Sequence, residues 1–253
     1  MPTNGTQDLD RAILEALRSS EQPMGSGSLY YLLKERGYNV SAPTIGRRLR
    51  DLERKSFVGK VTVEGRMITP SGIRMLQKAT VDHRIRTSAE NVLELLKSNR
   101  HKDIIDLLTA RRIIEGESAR LAALNASGND VAKLEAIIRR QRHSMDGGGL
   151  AVKEDVSFHE TLAKISGNRF IAYSVRLLRS HEWVNSAVIA IRAKFGTPVV
   201  EHEGIIAAIK EGNSLGAQEL MHQHISKMIS EVERYWQEEF HTTPSNGKAR
   251  SRS

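Results

Sequence analysis

Cysteine is absent from this 253-residue chain. That excludes disulfides, thiolate nucleophiles and cysteine-bound zinc, so a metal would have to be held by imidazole nitrogen and carboxylate oxygen. Also missing are a run of 18 apolar residues and a charged-then-apolar start with a small-residue cleavage site, which argues against membrane insertion and secretion and predicts a cytoplasmic protein. No internal repeat is visible, and beyond Thr87 there is no strand signal.

What is present points to a polyanionic partner. The 38 Lys and Arg against 30 Asp and Glu give a formal charge of +8, and cations that neutralise phosphates gain affinity by releasing counterions. Nine histidines supply the donors that cysteine does not. The length favours two unequal domains: a DNA-binding domain over 1–80, a linker and connecting helix over 81–102, a helical domain over 103–240, and a basic, disordered tail over 241–253.

Leu9, Ile13, Leu14 and Leu17 recur at helical spacing over 8–19, with Asp8 suited to cap them. Ser20 to Gly27 reads as a loop, and Ser28 to Arg36 as a second helix stopped at Gly37. A third helix starts near Ser41 with Ile45, Leu49 and Leu52 on one stripe. Two β-like pieces, 59–63 and 67–69, flank Glu64-Gly65-Arg66, a hairpin signal, and 71–77 resumes as helix. Three helices and a hairpin in this order predict a winged helix, whose third helix enters the major groove. The core stripe sends Thr44, Arg47 and Arg48 outward as DNA contacts, and Arg66 is expected at the hairpin tip beside the groove.

The remainder reads as an all-α bundle of about seven helices: 88–97, 103–126, 130–144, 150–165, 170–195, 199–211 and 215–239. Asp155 and His159 lie four apart and share a face with Val152, Val156, Leu162 and Ala163. His202 joins the stripe of Ile205, Ile206 and Ile209, and His224 that of Met221, Ile225 and Met228. His222, about 160° from His224 around its helix, is expected to face solvent. Three inward imidazoles and one inward carboxylate make a first shell for a borderline divalent ion such as zinc, nickel or manganese. An open position on such an ion could also activate water, so a metal-dependent hydrolase or lyase is the alternative reading; a constitutive DNA binder with a structural metal is another.

Two resemblances sharpen this. Val40-Ser-x-Pro-Thr-Ile-Gly-Arg-Arg-Leu-Arg-Asp-Leu-Glu and Gly65-Arg-Met-Ile-Thr-Pro-Ser-Gly resemble winged helices of the ribonuclease R amino-terminal type. Arg111-Arg-Ile-Ile-Glu115, Ala119-Arg-Leu-Ala-Ala123, Asp155-x-x-Phe-His159, Ser166-Gly-Asn168 and Glu201-His-x-x-Ile-Ile-x-Ala-Ile resemble the FCD domain of FadR-type regulators in the GntR superfamily. The usual GntR winged helix, with Leu-Pro-Ser before its second helix and a Gly-x-Gly wing, is not found here. The FCD resemblance implies a ligand-responsive DNA-binding transcriptional regulator rather than an enzyme, with Asp155, His159, His202 and His224 as metal ligands. It also implies Arg111 and Asn168 at the cavity for a small carboxylate effector. A homodimer is expected, because one winged helix reads only a half-site.

Overall fold

Ser41 shows how local chemistry starts the elements of the amino-terminal half: its hydroxyl accepts from the Thr44 amide at 3.3 Å, and Pro43 in the first turn needs no donor. In the computed structural model, which describes residues 5–63, 65–180, 182–195 and 198–241, the chain divides into two compact units, 1–92 and 93–253.

The first unit contains α1 (Gly5–Ser19), α2 (Ser26–Glu35), α3 (Ala42–Arg54), β1 (Val58–Lys60), β2 (Arg66–Ile68) and most of α4 (Pro70–Leu96). Leu9, Ile13, Leu14, Leu29, Leu33, Ile45, Leu49, Leu52 and Leu76 form its core. The hairpin is antiparallel, with Gly59 opposite Met67 and Lys60 opposite Arg66. It is shorter than the sequence pattern suggests and starts one residue earlier on each strand. Met24, inside the segment read as a loop, adds a bridge to Arg66 through two 3.0 Å backbone bonds. Gly72, in the first turn of α4, is a close approach: a Cβ there would stand 2.0 Å from the Phe57 carbonyl oxygen.

The second unit is helical: α5 (His101–Asn125), α6 (Gly128–Asp146), α7 (Val152–Ile165), α8 (Arg169–Leu178), α9 (Glu182–Phe195), α10 (Pro198–Lys210) and α11 (Ser214–His241). Ser127 and Asp130 close a capping box on α6. The longest pairing is α5 against α11, antiparallel, as His101 on Trp236, Arg112 on Ser226 and Glu117 on Gln218 show. Where they cross, Gly116 lies under the His222 ring.

Two boundaries differ from expectation. The pieces read at 71–77 and 88–97 are one helix, α4; the intervening stretch has neither Pro nor Gly to stop it, and its side chains are largely exposed, so no apolar period marks it. The stretch read as one helix over 170–195 breaks at Arg179, and its two parts pack separately as α8 and α9. Among the described residues no helix is long and apolar enough to cross a membrane. The tail expected over 241–253 lies, past His241, outside the described residues.

Gly72→Ala should lower the stability of the first unit by about 1–3 kcal/mol, since the added methyl must displace backbone, whereas Gly128→Ala, with open space at its Cβ, should not. Urea melts of both variants check this; equal midpoints would contradict the close approach.

Candidate functional site

Asp155 and His159 occupy one buried face of α7, and α10 and α11 bring His202 and His224 against it; each of the four is at most 3% exposed. The imidazole centroids are 5.1 Å (His159 to His202), 5.3 Å (His159 to His224) and 4.7 Å (His202 to His224) apart. One nitrogen from each ring falls within 4.8 Å of the other two. Asp155 Oδ1 stands 3.7 Å from His202 Nε2 and 3.9 Å from His159 Nε2.

The other edge of each ring is held. His159 Nδ1 lies 2.6 Å from Glu115 Oε2, His202 Nδ1 2.9 Å from Gln141 Oε1, and His224 Nδ1 2.8 Å from Glu201 Oε2. Carboxylates only accept, so Glu201 fixes the Nδ1–H tautomer of His224 and the Gln141 carbonyl does the same for His202, while the Glu115 carboxylate, in close contact with His159 Nδ1, favours a proton on that nitrogen. Every Nε2 is then a lone pair, buried and without a hydrogen-bond partner. Three acceptors cannot satisfy one another, and leaving them unpaired costs free energy. A cation among them satisfies all three, with Asp155 as an oxygen donor, and a ring hydrogen-bonded through its far nitrogen is the usual outer support of such a ligand. The residues present fit a divalent ion.

Electrostatics prepare the same state. Burial and the Arg179 charge push the His159 pKa down to about 4. Burial and the neighbouring imidazoles hold His202 well below its ordinary value, and burial outweighs Glu201 in lowering His224. All three rings are therefore neutral at pH 7, as coordination requires. Burial opposes ionisation of Glu115, but Arg179, His159 and Arg111 overcome it and keep the carboxyl far below its usual range. Asp155 is held down in the same way, chiefly by Arg179.

Arg179 ties these acids together. Its Nε and NH2 donate to Glu115 at 3.0 and 2.9 Å, and its NH1 donates to Asp155 Oδ2 at 2.9 Å, leaving Oδ1 turned to the histidines. On the opposite side Arg192 donates to Glu231 at 2.9 Å and also to Glu201. The sequence patterns gave no role to Arg179, Arg192, Glu115, Gln141 or Glu201. Glu115 is four residues from Arg111 on one helix face, and Gln141 interrupts the buried stripe of Leu134, Ile137 and Ile138, so both carried a readable signal. Arg179 carried none, because it sat inside an apparently continuous helix.

Of the residues assigned to an effector, Arg111 is buried and donates from Nε to Glu115 at 2.8 Å. Asn168 is exposed, and its Oδ1 caps α8 by accepting from Phe170 and Ile171. His222 does not point freely to solvent as expected: it is half-buried against Gly116, because α5 and α11 cross closely there.

The expected DNA contacts also separate. Arg47 is exposed on α3, and Thr44 is half-buried with its hydroxyl 2.9 Å from that of Ser41. Arg48 turns inward instead, donating from Nε to Asp10 of α1 at 2.8 Å and from NH1 to Asp51 at 3.1 Å. Arg66 stands at the start of β2 rather than at the hairpin tip, and donates to Glu53 at 2.8 Å. Arg50, not singled out by the sequence pattern, is exposed three residues from Arg47 and shares its face.

The lowered histidine pKa values give a signed pH dependence. Between the ordinary value of 6.5 and about 4 for His159, the unfolded chain binds a proton that the folded one does not, so stability rises with pH in this window and is lost on acidification. The slope is roughly 1.4 kcal/mol per pH unit for each such histidine. The lowered acids act in the same direction only below about pH 4.5, near their unfolded values. Chelator-treated protein melted in urea at pH 7, 6 and 5 should lose stability at each step; a flat profile would contradict the neutral cluster.

Residues 106–227 match the FCD domain model, and residues 11–76 match the ribonuclease R winged-helix domain. The HTH-type transcriptional repressor NanR of Edwardsiella tarda is 26% identical over 206 residues, covering 76% of this chain and 72% of that protein. The global nitrogen regulator NrpR of Methanocaldococcus jannaschii is 33% identical over 90 residues, 34% of this chain, and the match spans 17% of that regulator's length. Among solved structures, Streptococcus agalactiae GntR superposes with a TM-score of 0.46 at 20% identity, covering 89% of this chain and 99% of that one. Residues 106–227 are thus an FCD domain and residues 11–76 a winged helix of the ribonuclease R kind, and the chain belongs with the FCD-type members of the GntR superfamily.

Proposed function

We propose that the chain is a homodimeric, ligand-responsive transcriptional regulator: the winged helix binds operator DNA, and the FCD domain holds a divalent ion and a small carboxylate effector. The observation that carries the sensor half is the set of three buried Nε2 lone pairs, each ring fixed through its Nδ1. The relatives matched are named as regulators and repressors, which leaves the hydrolase or lyase alternative without support.

Asp155, His159, His202 and His224 would hold the ion, with zinc, nickel and manganese all compatible with the donors. Once bound, it supplies positive charge and an open position for an oxygen ligand. A carboxylate pairing with Arg111 would share that guanidinium with Glu115, the residue that also holds His159 and Arg179. Effector charge and ligand geometry are therefore coupled through one side chain, as a sensor requires. Asn168, committed to capping α8, is left out of this set.

On the DNA side, Arg47 and Arg50 present cations from α3, with Thr44 near its start. Arg48 is a brace between α3 and α1 and Arg66 a brace between hairpin and α3.

Elemental analysis should find about one divalent ion per chain, lost in His159→Ala and His224→Ala and retained in His222→Ala. Metal retained in both of the first two variants would sink the site. Arg47→Ala with Arg50→Ala should reduce the salt slope of binding to a random-sequence duplex by about 0.9 for each phosphate contact removed. Arg48→Ala should instead lower the melting temperature. An unchanged slope in the double variant would remove this face from the interface.

A further inference from the structure

Between α6 and α10 lies a cavity of about 490 Å³ whose lining includes neither Gln141 nor the three clustered histidines. The two helices run antiparallel, since Glu135 meets Lys210, Gln141 meets His202 and Arg142 meets Glu203. Along the cavity α6 presents Glu135, Arg139 and Arg142, and α10 presents Lys210, Ala207 and Glu203 opposite them. Each series keeps the spacing of one helix face, so the two form a ladder of three rungs. The outer rungs are ion pairs, Lys210 with Glu135 at 3.7 Å and Arg142 with Glu203. The middle rung is incomplete. Arg139 is exposed and, among the described residues, has no carboxylate paired with it, because the residue facing it is an alanine. The cavity occupies that gap, over a floor made apolar by the buried Ile138 and Ile206.

We propose that this cavity binds a small organic monocarboxylate, whose carboxyl group completes the middle rung on Arg139 while its apolar body lies on Ile138 and Ile206. A guanidinium without a protein partner offers a planar fork of donors, and a carboxylate meets that fork with two parallel hydrogen bonds. The volume falls within the range of roughly 300–1,000 Å³ typical of small-molecule sites. The flanking charges limit the occupant to one negative charge. Lys210 and Arg142 are already matched by Glu135 and Glu203, which bracket Arg139, and Asp146 stands beyond Arg142 at the end of α6. A second negative charge on the ligand would therefore meet carboxylates, which makes a phosphate dianion the poorer fit. His143, one turn along from Arg139, is the remaining polar group on the α6 wall. The site is separate from the metal cluster, and its assignment needs neither the ion nor DNA.

The test is a calorimetric titration of the chelator-treated chain, in which a carboxylate held only through a metal ion has nowhere to bind. Benzoate should bind once per chain at millimolar concentration. Benzamide, its neutral analogue, and inorganic phosphate should each bind about tenfold more weakly or worse, as expected for loss of a charge-assisted pair. Arg139→Ala should weaken benzoate by a similar factor. Ala207→Glu supplies the missing carboxylate from α10, so it should abolish benzoate binding and raise the melting temperature. Both positions are exposed, so circular dichroism of the two variants should match wild type. Should either misfold, Arg139→Gln, which removes the charge and keeps a polar side chain, should show the same loss. Arg140→Ala, next in sequence but outside this lining, should bind benzoate as wild type does. No benzoate binding, benzoate held no tighter than benzamide or phosphate, undiminished binding in a folded Arg139 or Ala207 variant, or binding lost in Arg140→Ala would each overturn the assignment.

Discussion

The second unit depends on one carboxylate. Glu115 is fully buried and is approached by Arg111, Arg179 and His159 at 2.8, 2.9 and 2.6 Å. A lone carboxylate in that position would be protonated or expelled. Surrounded by three donors it stays ionised, orients an imidazole and holds a guanidinium that in turn orients Asp155. Removing any member leaves another charge buried without compensation, which is the costly way to break such a network. The helices of this unit are thus joined by charge as well as by the apolar layers around Phe158, Ile205 and Ile225.

The first unit uses the same device more sparingly. Arg48 spans from α3 to Asp10 of α1, largely shielded from water. The apolar period of α3 is legible because Ile45, Leu49 and Leu52 must face the core, and it marks what lies opposite them. It does not say which of the remaining cations will find a carboxylate on another helix. Arg47 and Arg48 are adjacent in sequence and carry the same side chain, yet only the second has Asp10 within reach. That distinction belongs to tertiary structure.

The same division runs through the candidate site. His159, His202 and His224 were visible because a polar residue on an apolar stripe stands out against a simple period. Arg179 was invisible because the break that turns it inward has no Pro or Gly. Its backbone amide still closes onto Val175, and what ends the helix is the buried pair of acids its side chain reaches. The extent of α4 was missed for the converse reason: an exposed helix has no period to read.

Where α5 and α11 cross, Gly116 lets the His222 ring lie where a methyl would stand, 2.1 Å from Nε2, so an imidazole laid against bare backbone fills the space between the two helices. His224 is two residues further along α11 and is fixed to the same rod. A side chain at 116 would meet the His222 ring first, and that ring would have to turn aside before the helix that carries it was disturbed. A residue with no side chain therefore keeps an imidazole outside the buried cluster packed against α5, on the same helix that carries His224 into it.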